Sequence, residues 1–438
     1  MNLYSVCIRC VCGALLLCAC RSQAAVRNAP PAPEKKAEKT AGAIKLSPGS
    51  LSAADAERRA NFKRALLLVQ TMEMLRKNYI EGEKVSYEEL FNHAMRGMVS
   101  ALDPYSNYEL PKEHTSRQVQ RKGSVVGIGA AAVKPDGKPI TLIRVLPGSP
   151  AAAAKLQPGD QIIAIDAQDI HPLNLAAALE KLRGAAGTPV KLQIRRGRQE
   201  FSLTVTRQLV KTSSVVAGSV KLIEGRTGYI KLTEFTANSP QEMEKALKEL
   251  RALGAEGIIL DLRYNPGGLV RAAVDIASLF LPAGKVVLQA KSRNKSALEE
   301  VKTIPNPLCD TSTPLVILVN AFTASASEIL TGALQDHKRA RVIGKRTFGK
   351  GTILSVVPVA GGGAVRFASA YYVTPGGRII EKKGIMPDIE VTVSSAEVTR
   401  LSSQTLRCPG AIAAPFKGSC PDRQLERAVR EIKMQKAR

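Results

Sequence analysis

A serine among alanines lies in residues 320–330, NAFTASASEIL, between the strand-like PLVILV and the helix-like continuation SASEILTGALQDH. A serine becomes a nucleophile when a neighbouring base takes its proton. At a strand-to-helix turn Ser325 would stand above the sheet, and the amide of Ala326 would point toward the Ser325 hydroxyl, giving half of an oxyanion hole. The competing reading is local. SASE is also a capping box, in which Ser325 bonds the amide of Glu328 and Glu328 bonds back. The residue string alone favours the cap; the setting favours the nucleophile.

The choice turns on a base. His337 follows three helical turns later, too far to reach Ser325, and ALQDHKR is an ordinary polar helix end. His93, His114 and His171 fall in other regions of the chain. Lys350, between Gly349 and Gly351 in RTFGKG, is the better candidate, because burial lowers a lysine pKa toward the neutral, basic form. Phe348 and Ile353 are placed to cover it, although an exposed basic turn is the commoner fate of Gly-Lys-Gly. GKRTFGKG also imitates a phosphate-binding loop. Gly351 stands where that motif needs Ser or Thr, however, and the β-like TILSVVPV follows where a helix should start. The turn DLRYNPGG brings Gly267 and Gly268, whose amides can approach another segment closely and supply the second oxyanion donor. No metal or cofactor is called for.

These residues need a scaffold, and 438 residues with 45% hydrophobic content suffice for two or three domains. Residues 1–25 form a secretory signal: Arg9, an apolar run over 10–19, then small residues. Two processing sites compete there, cleavage after Ala24 or Ala25 and a lipobox that would lipidate Cys20. Residues 26–50, rich in Pro, Ala and Lys, form a flexible tether. Two helices occupy 51–120. In the first, Phe62, Leu66, Val69, Met72, Leu75 and Tyr79 share a face. In the second, capped by Ser86 and Glu89, Leu90, Ala94, Met95, Met98 and Leu102 point inward. ALDPYSNYELP ends it in a turn. Short β-runs with one helix follow over 121–210. Alternating strands and helices over 211–395 indicate βαβ units on a sheet. A basic segment, 396–438, closes the chain with a helical pattern at Leu425, Val429 and Ile432, read as packing or as a solvated tail. Cys408 and Cys420 could close a short loop in an oxidising compartment, leaving Cys309 unpaired.

The net charge of +25 attracts anionic surfaces. With no tryptophan, 4% aromatic residues and no zinc-finger or helix-turn-helix spacing, nucleic acid is excluded as a partner, and anionic lipid or cell-wall polymer fits an exported chain.

Taken jointly and in order, GRTGYIKLTEF, DLRYNPGG, TASASEILTGALQD, KRTFGKG and GIMPDIEV resemble the C-terminal (tail-specific) processing peptidases over roughly residues 60–392. The resemblance implies a multidomain α+β and α/β chain with an N-terminal helical region, a PDZ domain and a crotonase-like ββα protease core. It implies a secreted or periplasmic serine endopeptidase with Ser325 as nucleophile and Lys350 as base. Ala326 and Gly267 or Gly268 hold the oxyanion, and Ser327 packs the helix. Residues 123–207 resemble a PDZ domain, so Val126, Gly127, Ile128 and Gly129 of VVGIGA would capture a substrate's free C-terminal carboxylate. Envelope proteins are the substrates this implies, with an envelope adaptor and self-association left open. One departure stands out. The family's usual Gln, four residues after the lysine, is Leu354 here. A leucine desolvates the base without orienting it, which leaves a PDZ-bearing scaffold, or a protease that needs a partner, as the alternative.

Overall fold

The structure, a computed structural model, describes residues 53–134, 139–146, 148–216, 218–293, 298–306, 308, 310–394, 397 and 422–437. The signal with Cys20, the tether, Cys309, Cys408 and Cys420 lie outside them. The chain divides into two units, residues 1–71 and 72–438. Helix α1 (Ala53–Asn78) begins in the first, where Phe62, Leu66 and Val69 are exposed. In the second unit, Ser86 caps α2 (Tyr87–Ser100). The Glu89 N–H donates to the Ser86 hydroxyl at 3.1 Å, and the Ser86 N–H donates to Glu89 at 2.9 Å. The inward face expected of α2 is corrected: Met98 and Leu102 are 61% and 68% exposed, and Val99 is the buried residue. The helix lies along β1 (Asn107–Glu109) at one edge instead of entering a core.

Helix α3 (Pro111–Arg121) leads into the β-rich domain. The first short β-runs are β2 (Ser124–Gly127) and β3 (Ala130–Val133). Gly129 separates them with φ +77°, and a Cβ there would lie 2.3 Å from Ser149 Cβ. The domain continues through β4 (Ile140–Val145), α4 (Pro150–Ala153), β5 (Gln161–Ile165), β6 (Gln168–Asp169), α5 (Leu175–Leu182), β7 (Pro189–Arg196), β8 (Gln199–Thr206) and β9 (Gln208–Lys211). Its sheet runs β3-β4-β5-β7-β8, so β3 is an edge strand, while β2 pairs with β9. Alternate residues of β7, Val190, Leu192 and Ile194, enter its core with Ile140, Leu142, Ile162 and Ile165, as period-2 patterning requires.

The remaining elements are β10 (Lys221–Ile223), β11 (Thr227–Lys231), α6 (Ser239–Ala252), β12 (Gly257–Asp261), α7 (Val270–Ala277), β13 (Val286–Ser292), β14 (Glu299–Lys302), β15 (Leu315–Val319), α8 (Ala326–Asp336), β16 (Arg341–Gly344), β17 (Thr352–Pro358), β18 (Ala364–Val373), β19 (Ile389–Glu390) and α9 (Arg423–Lys436). One sheet has the order β10-β11-β12-β15-β16-β19, parallel from β11 onward. Its central strands β12 and β15 are buried throughout, because helices cover both faces. Leu315, Ile317 and Val319 meet α6, α7 and α8 on one face, and Val316 and Leu318 meet α9 on the other. A second, antiparallel sheet runs β1-β18-β13-β14 with β17 beside β18. The basic C-terminal helix therefore packs: Leu425, Val429 and Ile432 are buried, and a Cβ at Gly257 would lie 2.3 Å from Ile432.

Candidate active site

Three loops leave the C-terminal ends of parallel neighbours β12, β15 and β16, the usual place for chemistry in an open α/β sheet. The loop after β15 carries Ser325, the loop after β12 carries Gly267 and Gly268, and the loop after β16 carries Lys350. Backbone and side-chain bonds lock the first two together. The Ala324 N–H and the Ser327 hydroxyl both donate to the Asn265 carbonyl, at 3.0 and 3.1 Å. The Thr323 hydroxyl donates to the Leu262 carbonyl at 2.9 Å, and Tyr264 stacks on Phe322 at 5.4 Å. Ser327 is fully buried in this contact.

Ser325 precedes α8 with φ +57°, a left-handed value that is uncommon for a non-glycine residue. Its N–H donates to Glu328 Oε2 at 2.8 Å, while the Glu328 N–H bonds the Ser325 carbonyl at 2.8 Å. The Ser325 hydroxyl makes no cap hydrogen bond, so the carboxylate half of the capping box is made without engaging that hydroxyl.

Gly267 has φ +96°, and a Cβ there would lie 2.6 Å from the Ala324 carbonyl, 2.7 Å from Ser325 Cβ and 2.8 Å from the Ala326 nitrogen. Its N–H is already given to Asn265 Oδ1 at 2.9 Å. Among the described residues the N–H groups of Gly268 and Ala326 have no protein acceptor. Of the two glycines, Gly268 is thus the one with an amide to offer, and Gly267 is the one that lets the loops approach.

Glu328 joins the loop of Ser325 to the loop of Lys350. Fully buried, it also accepts from the Gly349 N–H at 2.7 Å, the Lys350 N–H at 2.9 Å and the Thr347 hydroxyl. Burial pushes its pKa up, against the pull of these donors. The sequence showed Glu328 as a cap and hid this second role, because the loop it holds lies about twenty residues away.

Lys350 is half-buried. Burial pushes its pKa down, helped by the charges of Arg366 and Arg117 and opposed by Glu381 and Asp103. The expected cover from Phe348 is corrected: that ring is 55% exposed, and the aromatic over Lys350 Nζ is Tyr105, 4.6 Å from the ring centroid. Lys350 Nζ makes no hydrogen bond to the Ser325 hydroxyl. His337 bonds the Val286 carbonyl at 2.7 Å, a structural role. Leu354 lies on β17 opposite Ala368, at a register shift. Beneath the site, Asp261 is fully buried. Burial raises its pKa, but Arg263 and Lys231 overcome that and hold the carboxyl far below its usual range. Arg263 continues to Asp422 at the cap of α9.

In the β-rich domain, Val126 and Gly127 end β2, and Ile128 and Gly129 turn toward edge strand β3. The carbonyls of Ile128 and Gly129 accept from Ala151 and Leu146 at 2.8 and 2.9 Å. Among the described residues the N–H groups of Ile128 and Gly129 have no protein acceptor. Free amides beside an open strand edge suit strand addition by a peptide ending in a carboxylate.

Residues 226–391 match the model of peptidase family S41, and residues 116–195 match that of the PDZ domain. The chain is similar to a carboxyl-terminal-processing protease of Synechocystis sp., with 40% identity over 334 residues, 74% of this chain and 77% of the relative. A carboxy-terminal processing protease of Bacillus subtilis is 34% identical over 325 residues, 74% of this chain and 68% of the relative. Among solved structures, the photosystem II D1 C-terminal processing protease has 29% identity and a TM-score of 0.44, covering 74% of this chain and 92% of its own.

Proposed function

This chain belongs to the carboxyl-terminal-processing proteases of peptidase family S41, serine peptidases with a PDZ domain, and from that premise we propose that Ser325 is its nucleophile and Lys350 its general base. The observation that carries the proposal is the shared carboxylate of Glu328, which bonds the amides of Ser325 and Lys350 at 2.8 and 2.9 Å and so fixes the two loops to one point. Neutral Lys350 takes the Ser325 proton as the hydroxyl oxygen attacks the scissile carbonyl. The N–H groups of Ala326 and Gly268 stabilise the oxyanion. Collapse breaks the peptide bond, and the Lys350 ammonium returns the proton to the leaving amine. Water, deprotonated by Lys350, then hydrolyses the acyl-enzyme. Catalytic hydrogen bonds often close only with substrate present.

The free amides of Ile128 and Gly129 support a PDZ domain that selects substrates by a free C-terminus. The leader read in the sequence supports an exported enzyme acting on envelope proteins. Fluorophosphonate labelling and casein cleavage test the dyad: wild type labels and cleaves, whereas Ser325→Ala does neither and Lys350→Ala is as slow as Ser325→Ala. Retained activity in Lys350→Ala, with His337→Ala inactive, would move the base elsewhere.

Lys350, unbonded to Ser325, favours a second reading in which the free enzyme rests until it is engaged. In that case a peptide with a free C-terminus raises the labelling rate of Ser325 and its amidated form does not.

A further inference from the structure

The turn at residues 103–106 belongs to neither strand nor helix, yet it is tightly built. Asp103 accepts from the Tyr105 N–H at 2.7 Å, from the Ser106 N–H at 2.8 Å and from the Ser106 hydroxyl at 2.5 Å. Ser106 is buried, and its hydroxyl accepts from the Ala368 N–H of β18 at 3.2 Å. Next along the chain, β1 pairs with β18 from Asn107↔Arg366 to Glu109↔Ala364. Glu109 is buried and ion-paired with Arg117 at 2.6 Å and Arg366 at 3.4 Å. The turn is therefore fixed to the sheet that carries the strand after Lys350. Ala368, which holds it, is the register partner of Leu354.

This anchoring sets the half-buried Tyr105 ring 4.6 Å from Lys350 Nζ, within range of a cation–π contact. We propose that Tyr105 is a positioning residue for the base, its ring holding the Lys350 ammonium and so doing from β1's side what a hydrogen-bonding side chain at position 354 would do from β17. The inference rests on Lys350 being the base. The other charges facing Lys350 are Asp103 of the same turn, Arg117 of α3, Arg366 of β18 and Glu381. They surround the ammonium from several elements, and the ring is the contact that a shape-preserving change can weaken alone.

Because the base must be neutral, kcat/KM rises with pH as Lys350 loses its proton. A ring that attracts the ammonium delays that loss. Tyr105→Phe keeps the ring and should keep the wild-type pH profile. Phenylalanines carrying one, two and three fluorines there retain the shape but weaken the negative face, so the ascending limb should move stepwise to lower pH. On that limb the rate should rise about 2-fold or more by the last step. Tyr105→Leu should lower the plateau kcat about tenfold with KM within twofold, because an unheld base is misplaced. A limb unmoved across the fluorinated series, in an enzyme that Lys350→Ala inactivates, would overturn the role of the ring alone. Turnover surviving Lys350→Ala would overturn the base assignment and this inference with it. The fluorinated series preserves packing, so the test holds even if Tyr105→Leu does not fold.

Discussion

Adding one methyl group at Gly267 tests whether loop closeness makes this site. The Cβ would fall 2.6 Å from the Ala324 carbonyl oxygen, 2.7 Å from Ser325 Cβ and 2.8 Å from the Ala326 nitrogen, and two of these three atoms are backbone. None can rotate aside, so the segment carrying the nucleophile must move by several tenths of an ångström. At φ +96° the alanine also pays for a left-handed conformation, about 1–2 kcal/mol. Overpacking adds about 1–3 kcal/mol, so the fold should lose about 2–5 kcal/mol in denaturant titration. The effect on rate is of similar size, since misplacing a reacting group by about 1 Å costs about 100-fold, or about 2.7 kcal/mol. Gly267→Ala should therefore lower kcat for a peptide substrate by about two orders of magnitude, slow fluorophosphonate labelling alike and leave KM within a few-fold. Gly284→Ala is the control. Its φ is +82°, but a Cβ there meets nothing within 4 Å, so it bears the strain without the clash and should keep full activity. Near-wild-type kcat in a folded Gly267→Ala would refute the argument that this approach sets the nucleophile.

Glu328→Gln replaces an acceptor of four donors with an amide whose NH2 must face at least one of them. Unfolding should be easier by about 1–3 kcal/mol and Ser325 labelling slower, and an unchanged labelling rate would deny Glu328 its linking role. Arg366→Gln removes a cation that depresses the Lys350 pKa, so the ammonium becomes easier to form. The ascending limb of kcat/KM should shift to higher pH with the plateau kept, and a shift to lower pH would reverse the sign assigned to this charge. Gly129→Ala drives a Cβ to within 2.3 Å of Ser149 Cβ. It should weaken peptides with a free C-terminus about tenfold or more in titration calorimetry, and affinity unchanged from wild type would place the carboxylate elsewhere. Leu354→Gln should change kcat by no more than about threefold, the lower part of what one hydrogen bond of about 0.5–1.5 kcal/mol is worth; a large gain would identify the natural chain as an enzyme awaiting activation.

Sequence legibility followed the range of the interactions. Strand, turn and helix around Ser325 were legible because an unbroken apolar run, a small-residue turn and a period-3.6 pattern all act locally. The helix at 423–436 was legible for the same reason, through Leu425, Val429 and Ile432. Strand β14 is hard to read in the sequence, because Glu299, Glu300 and Lys302 give it a charged, exposed pattern that resembles a surface loop. The inward face expected of α2 failed at Met98 and Leu102, because periodicity locates an apolar face without saying what covers it. Glu328 and Tyr105 were hidden more deeply. Each acts on a segment distant in the chain, and each has a sufficient local explanation, a capping box for Glu328 and a turn for Tyr105.

Tyr105 bears on Leu354. A lysine that serves as a base needs a surrounding that disfavours its charge and a contact that fixes its amine. Here the first comes from burial with Arg366 and Arg117, and neither depends on a polar side chain on β17. The second falls to the Tyr105 ring, whose turn is fastened through Ser106 to the amide of Ala368, directly across the ladder from Leu354. Leucine at that point keeps the strand pair apolar and leaves the ammonium to the ring. A glutamine there would compete with Tyr105 for the same amine. Leu354 and Tyr105 therefore form one arrangement: in a double-mutant cycle the damage from Tyr105→Leu should be partly repaired by Leu354→Gln, and strictly additive effects would show that the two positions act on Lys350 independently.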